Sequence, residues 1–217
     1  MEQKAKPQLD PNHLSGWSIS EFLKRLASEE PVPGGGSVAA VAGALGAALI
    51  VMYSKIGTLR KGVSGDDQEV LRKIGLEATA YQQKLTRLIT EDSLAYGEVM
   101  DAYKLPKTTE EEIKQRQQAI QKAFQRAVEA PMQTLAACVE CLYLTVEIAL
   151  SGNPSAFSDL KVAEYLCLAG AKGALENIDI NLTSLKDPQY IKEAESKVKK
   201  LRDSLDQVSK QKISKPV

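Results

Sequence analysis

The sequence predicts an all-α protein: one domain, a helical bundle with a buried Ala/Gly-rich central helix and long amphipathic helices. Three observations carry this. Apolar residues recur at spacings of three and four along most of the 217 residues, the period of a helix face. Aromatic residues make up only 5% while Ala and Leu are abundant, a mixture that favours helices over sheets. The one alternating run, Ile178, Ile180 and Leu182, has no partner strand elsewhere and also fits helical spacing with Leu185. A chain of this length builds a single sizeable core. We expect the domain at 18–210, between a polar N-terminal tail at 1–17 and a polar C-terminal tail at 211–217.

The elements follow in order. Ser18-Ile19-Ser20-Glu21 has the capping-box pattern, and Phe22, Leu23 and Leu26 give the short helix behind it an apolar face. Pro31 and Pro33 break the chain before Gly34-Gly35-Gly36-Ser37. No charge occurs from Ser37 to Tyr53, so a membrane span has to be weighed. Ala and Gly are only weakly apolar, and Lys55 and Arg60 follow closely; a buried central helix is expected instead, with Ala39, Ala40, Gly43, Gly46 and Ala47 permitting close approach. Asp66 to Leu105 reads as one helix with a seam of Ile74, Ala78, Tyr81, Leu85 and Leu88, stopped by Pro106. Thr109 to Ala130 is a further amphipathic helix, with Ile113, Ile120, Phe124, Ala127 and Val128 inward, which Pro131 is expected to kink or end. Met132 to Leu150 is strongly apolar, and Gly152-Asn153-Pro154 stops and restarts the chain. Ser155 or Ser158 is expected to cap the next helix, which runs to about Asn177, with helix or turn beyond it. Ile191, Ala194, Val198, Leu201, Leu205 and Val208 form a heptad pattern that packs on the body or on a second subunit.

Composition excludes several functions. Lys+Arg and Asp+Glu balance at 28 each, and no basic run is interleaved with aromatics, which argues against nucleic acid. Met1 to Asn12 lacks the apolar segment of a signal peptide, and three cysteines in helical patterns suit reduced thiols, so a cytoplasmic location is expected. Cys138 and Cys141 are spaced as C-x-x-C, but His13 is the only histidine. A zinc site needs about four such ligands, so no metal is expected and the thiols read as small core residues. The same scarcity of histidine argues against a Ser-His-Asp or Cys-His mechanism. Chemistry must run on carboxylates, amines, amides and hydroxyls.

Three places depart from a plain bundle. Gly34, Gly35, Gly36 and Ser37 open a helix whose N–H groups attract negative charge, yet they match neither the phosphate-loop nor the dinucleotide fingerprint; a tight turn into a closely packed helix is the simpler reading. Leu88, Asp92, Tyr96, Val99 and Tyr103 lie within an arc of about 80° on a helix, so a carboxylate stands where the seam asks for an apolar residue. Asp92 either reaches water, pairs with a cation, or handles protons. Lys104 and Lys107 add charge where that helix ends. Asp159, Ala163, Leu166, Gly170, Gly173 and Asn177 form another narrow face, whose two glycines ask for a close neighbour.

These segments together resemble the cyclodeaminase/cyclohydrolase family. The likeness rests on Pro33-Gly34-Gly35-Gly36-Ser37, Asp92-Ser93-Leu94-Ala95-Tyr96 continuing to Ala102-Tyr103-Lys104-Leu105-Pro106-Lys107, Gly152-Asn153-Pro154 with Ser158-Asp159, and Asn177 through Asn181-Leu182, in this order. It covers roughly Ser18 to Lys186. The chain departs from the family pattern at Leu160-Lys161 and at Ser155.

The resemblance implies an all-α homodimer or higher assembly acting on one-carbon tetrahydrofolate. The leading expectation is formimidoyltetrahydrofolate cyclodeaminase, which closes the ring to methenyltetrahydrofolate with release of ammonia. The alternatives are methenyltetrahydrofolate cyclohydrolase, which opens that ring with water, and a non-catalytic folate-binding or assembly module. Asp92, Lys104 and Asp159 become the catalytic candidates. Gly34, Gly35, Gly36, Ser37, Tyr96, Tyr103, Lys107, Asn153, Ser158, Asn177 and Asn181 become substrate-binding candidates. The glutamate tail, single or extended by further glutamates, is assigned to Lys104, Lys107, Arg60 or the glycine-rich helix start. No cofactor, nucleic acid or membrane is implied.

Overall fold

The structure, a computed structural model, describes residues 13–216. The polar stretch Met1 to Asn12 lies outside the described residues. A short 3-10 turn at Leu14–Gly16 leads into six α-helices: α1 Ile19–Leu26, α2 Gly35–Thr58, α3 Gly65–Lys104, α4 Glu110–Ile148, α5 Phe157–Leu182 and α6 Pro188–Ser209. There is no strand among the described residues.

Caps fall where side chains can reach the unpaired N–H groups of a first turn. Ser18 with Glu21 and Thr109 with Glu112 form capping boxes, and Ser64 caps α3 through Asp67 N–H. Neither Ser155 nor Ser158 caps α5. Asn153 instead accepts from Ser155 N–H and organises the turn Pro154–Ala156 that feeds the helix. Gly62, at φ +76°, makes the reversal between α2 and α3 in the left-handed region open to glycine.

Helix α2 is the centre of the bundle. Pairs across it give the directions of its neighbours. A Cβ on Gly43 would meet Leu85 of α3 and Cys138 of α4, and one on Gly46 would meet Cys167 and the Ala163 carbonyl of α5. Gly57 lies against Leu71, and Gly35 against Asn177. Thus α3 and α5 run antiparallel to α2, while α4 runs with it. Gly170 and Gly173 lie against Ala39, so the smooth strip of α5 receives α2 of the same chain. Among the described residues α2 is the one helix long and apolar enough to cross a membrane; its buried Ala40, Ala47, Ile50 and Tyr53 belong to the main core.

Helix α6 packs on the body of its own chain. Ala194, Val198, Leu205 and Val208 are buried, and Tyr190 and Tyr143 donate to the carbonyls of Gln125 and Ser204, tying α6 along α4. Leu14 is buried and Trp17 packs against the core, so the described end of the N-terminal segment takes part in the fold. Beyond α6 the chain is irregular, with Ile213 against the core. The three thiols are free and buried, as core residues. Ile113, expected inward, is 41% exposed on the first turn of α4.

Of the two outcomes expected at Pro131, an end of the helix does not occur: α4 continues through it to Ile148. A proline lacks the N–H that would bond the carbonyl four residues back, here Ala127. Asn181 of α5 supplies the missing donor, its Nδ2 lying 2.8 Å from the Ala127 oxygen. A buried carbonyl left unpaired costs about 1–3 kcal/mol. Asn181→Ala is therefore expected to lower stability by about 1–2 kcal/mol, and to cost much less in a Pro131→Ala background, where the backbone N–H returns. Urea unfolding of the four proteins measures that coupling; simple additivity would dismiss it.

The turn after α4 is pinned from α2. Tyr53 donates its buried hydroxyl to the Ala149 carbonyl at 2.9 Å, and burial pushes its pKa up to about 12. Gly152 sits directly under that ring: a Cβ there would lie 2.0 Å from Cε1. Gly152→Ala forces either the ring or the turn to move, and is expected to cost about 3 kcal/mol in chemical denaturation.

Candidate functional site

Helix α2 begins at Gly34 with no side-chain cap of its own. A carboxylate from α3 takes that place. Ser37, three residues into the helix, donates its backbone N–H to Asp92, and its buried hydroxyl lies 3.0 Å from Asp92 Oδ2. The approach requires glycine, since a Cβ on Gly36 would stand 2.0 Å from Asp92 Oδ1. The positive end of the helix dipole is thereby already occupied by this chain's own acid.

Burial raises the Asp92 pKa above its ordinary 3.8, and the two hydrogen bonds from Ser37 oppose the shift without overcoming it. Among the described residues no cation forms a salt bridge with Asp92. Of the roles open to this residue in the sequence, pairing with a structural lysine is therefore ruled out among those residues. The network around it serves both protonation states. Ser37 Oγ is 2.9 Å from the Ile89 carbonyl as well as 3.0 Å from Asp92 and 3.0 Å from Ser93 Oγ. With Asp92 ionised, the Ser37 proton points to the carboxylate. With Asp92 neutral, its O–H donates to Ser37 Oγ, and Ser37 turns to Ile89. Neither state strands a polar group.

Asp92 opens into a pocket of about 310 Å³ lined by Gly34, Gly35, Gly36, Tyr96, Tyr103, Asn177 and Asn181 among others. Its two carboxamides are oriented by the backbone. Asn177 Nδ2 donates to the Gly173 carbonyl at 2.8 Å, and Asn181 Nδ2 to Ala127. Each carboxamide keeps its Oδ1 and a second N–H for other partners, so that, one turn apart on α5, the two can accept or donate beside Asp92. Tyr103 packs edge-on against Phe124, ring centroids 6.4 Å apart. No lysine or arginine lines the pocket. The arrangement suits a flat, N–H-rich or cationic group set against aromatic walls.

The remaining expected residues lie elsewhere. Lys104 is exposed and paired with Asp101 at 2.8 Å, and Lys107 is exposed in the turn after α3. Asn153, Ser158 and Asp159 surround the start of α5. Asp159 is eighteen residues before Asn177 on one continuous helix, about 27 Å along the axis, and cannot share this pocket within one chain. Arg60 lies past the opposite end of α2 from the pocket. Phe124, Ala127 and Met100 line the pocket without having been foreseen as site residues. Phe124 and Ala127 carry the period of the α4 core face, and nothing in that period separates a pocket wall from a core wall.

An acid capping a glycine-opened central helix, at a polar pocket of an all-helical bundle, is an arrangement suited to a small-molecule ligand. The comparisons name the family. A profile described as formiminotransferase-cyclodeaminase matches residues 18–200. The chain is 36% identical over 191 residues to the methenyltetrahydrofolate cyclohydrolase of Methylorubrum extorquens, covering 87% of this chain and 88% of that protein. It is 35% identical over 185 residues to the formimidoyltransferase-cyclodeaminase of Mus musculus, covering 85% of this chain and 34% of that one; it spans about a third of the length of such relatives. The crystal structure of formiminotetrahydrofolate cyclodeaminase from Thermotoga maritima matches with a TM-score of 0.79 at 27% identity, over 90% of this chain and 93% of that one. The chain belongs to the formiminotransferase-cyclodeaminase family.

Proposed function

We propose that this protein acts on the one-carbon bridge of tetrahydrofolate, as a methenyltetrahydrofolate cyclohydrolase. The observation that carries the reading is Asp92, a buried acid able to hold or release a proton without losing a partner. The identity to a cyclohydrolase along nearly the whole of both chains supports the choice of reaction. The methenyl bridge is an amidinium-like cation, which a carboxylate in a cation-free pocket stabilises electrostatically.

The step balances as follows. Water attacks the bridging carbon, and Asp92 accepts one of its protons as the C–O bond forms. The bond from that carbon to N5 then breaks, its electron pair going to N5, which takes the proton back from Asp92. The hydroxyl proton leaves to solvent as the formyl C=O forms on N10. Asn177 and Asn181 present carboxamides, each able to accept and to donate, to the polar edge of the pterin ring.

A second reading is ring closure of formimidoyltetrahydrofolate. The structural neighbour is named for it, and the raised pKa of Asp92 suits an acid that protonates the departing ammonia. Assaying the purified protein with both substrates, by the near-ultraviolet absorbance of the methenyl form, separates the two. Turnover of neither, with folate still bound, would leave a binding module.

A homodimer belongs to the same reading. Val38 and Leu45 of α2 are 36% and 51% exposed, on a helix without charge from Ser37 to Ser54. A two-fold axis sets each central residue against its own copy, so an uncharged face meets no like-charge repulsion there. Sedimentation at micromolar concentration is expected to give a dimer; a monomer would count against it.

A further inference from the structure

Ser37 is expected from the sequence among the substrate-binding residues, but it is fully buried and does not line the pocket. Its hydroxyl faces inward, between α2 and α3, where Ser93 Oγ lies 3.0 Å from it. Ser93 follows Asp92 on α3, is also buried, and does not line the pocket either. Two hydroxyls thus stand behind the carboxylate, out of reach of a ligand. A buried hydroxyl needs a partner for its proton, and two helices meet more simply through apolar side chains.

Counting protons gives each hydroxyl its direction. Ser37 has one proton and two lone pairs, with the Ile89 carbonyl, Asp92 Oδ2 and Ser93 Oγ all within reach. When Asp92 is ionised, Ser37 donates to the carboxylate, so the bond between the two serines is donated by Ser93. When Asp92 is neutral, its O–H donates to Ser37, which turns its own proton to Ile89 and still accepts from Ser93. Ser93 therefore donates in both states, and only Ser37 turns. In the ionised state the three groups form a head-to-tail chain, in which each donor polarises the next. In the neutral state Ser37 receives two donors at once, without that reinforcement. Ser93 thus favours the ionised carboxylate, although its hydroxyl meets it through Ser37.

We infer that Ser93 and Ser37 form a two-hydroxyl relay behind Asp92, in which Ser93 is a positioning residue that holds Ser37 as a donor and so makes the carboxylate a weaker base. No proton leaves either serine; the transferred proton moves between Asp92 and the reacting molecule. The relay deepens the proposed reading of the site by naming what sets the strength of its acid, and rests on that reading only for the use made of the proton. No charge on the neighbouring elements competes for the role. Along α2 the first charge after Ser37 is Lys55, eighteen residues and about 27 Å further along the helix. The pocket walls from α4 and α5, Phe124, Ala127, Asn177 and Asn181, carry none, nor do Pro31 and Val32 before α2. Tyr96 and Tyr103 of α3 are the other titratable groups lining the pocket. Ser37 alone supplies the contacts that oppose burial at Asp92.

Carbon NMR of isotopically labelled protein follows the titration of the Asp92 carboxyl directly, its resonance identified by its absence in Asp92→Asn. The wild type is compared with Ser37→Ala, Ser93→Ala and the double variant. Ser37→Ala is expected to raise the midpoint by about one pH unit, the loss of one charge-assisted hydrogen bond. Ser93→Ala is expected to raise it by about 0.3 unit, the cooperative share of that bond, and to add nothing in the Ser37→Ala background. An unshifted or lowered midpoint in Ser93→Ala would overturn the inference. So would an equal shift with and without Ser37, which is what a change in packing alone gives. Should the Ser37 variant misfold, Ser93→Thr decides. It keeps the hydroxyl and is expected to hold the wild-type midpoint; a shift equal to that of Ser93→Ala would sink the relay. In turnover, the pH midpoint of kcat is expected to move upward with that of Asp92 while KM stays within about twofold. A kcat profile that stays put while Asp92 shifts would take the relay out of the reaction. Turnover of neither folate by the wild type would remove the folate reading and leave the titration to decide the relay by itself.

Discussion

Asp92→Asn is expected to lower turnover by about a hundredfold or more and yet to raise the melting temperature at neutral pH. Both effects come from burial. Asparagine keeps an oxygen that can accept from Ser37, so the start of α2 stays capped, but it cannot hold or release the proton. The stability sign follows from the direction of the pKa shift. The folded protein binds the Asp92 proton more tightly than the unfolded chain does, since burial raises this pKa above 3.8. The stabilisation due to that proton is complete below the unfolded value and is lost as pH rises through the folded one. Above it the folded state carries a poorly solvated carboxylate, a cost the asparagine variant does not share. The gap in melting temperature should be widest near neutral pH and close on acidification. A variant less stable than wild type at pH 7 would mean that the contacts from Ser37 outweigh burial. Full activity in the variant would remove Asp92 from the chemistry.

Gly36→Ala is the second large effect, and it separates activity from stability in another way. An added Cβ would lie 2.0 Å from Asp92 Oδ1 and 2.5 Å from its Cγ. The carboxyl must swing off the helix start, breaking its contact with Ser37. Alanine is a better helix former than glycine by about 1 kcal/mol, which offsets part of the loss. Turnover is expected to fall about a hundredfold with a melting temperature within a few degrees of wild type. Retained turnover would show that catalysis does not need the carboxylate at the α2 terminus.

The long periodic segments were legible because burial of one face imposes a spacing that local reading recovers. The α3 seam from Ile74 to Leu88 and the heptads of α6 lie where the pattern placed them. Asp92 was legible for the complementary reason, as a charge inside an apolar stripe. At Pro131 the sequence left a kink and an end both open, because the donor to the freed carbonyl comes from Asn181, fifty residues further on. Lys104 and Asp159 drew attention through their neighbours in sequence, but α3 turns the first to solvent and 27 Å of rigid helix separates the second from the pocket.

The sequence by itself determined the all-helical class, the central place of the glycine-opened helix, the core role of the three thiols and the anomaly at Asp92. Each is a property of short-range spacing and composition, which survive without knowledge of the neighbours. Only the tertiary structure decided what Asp92 faces and which backbone carbonyls hold the two asparagine carboxamides. Those depend on α3, α4 and α5 meeting at one end of α2, and contacts between residues fifty or more positions apart leave no period in a sequence. The chemistry proposed here sits where a legible carboxylate meets a helix terminus that only the fold could bring to it.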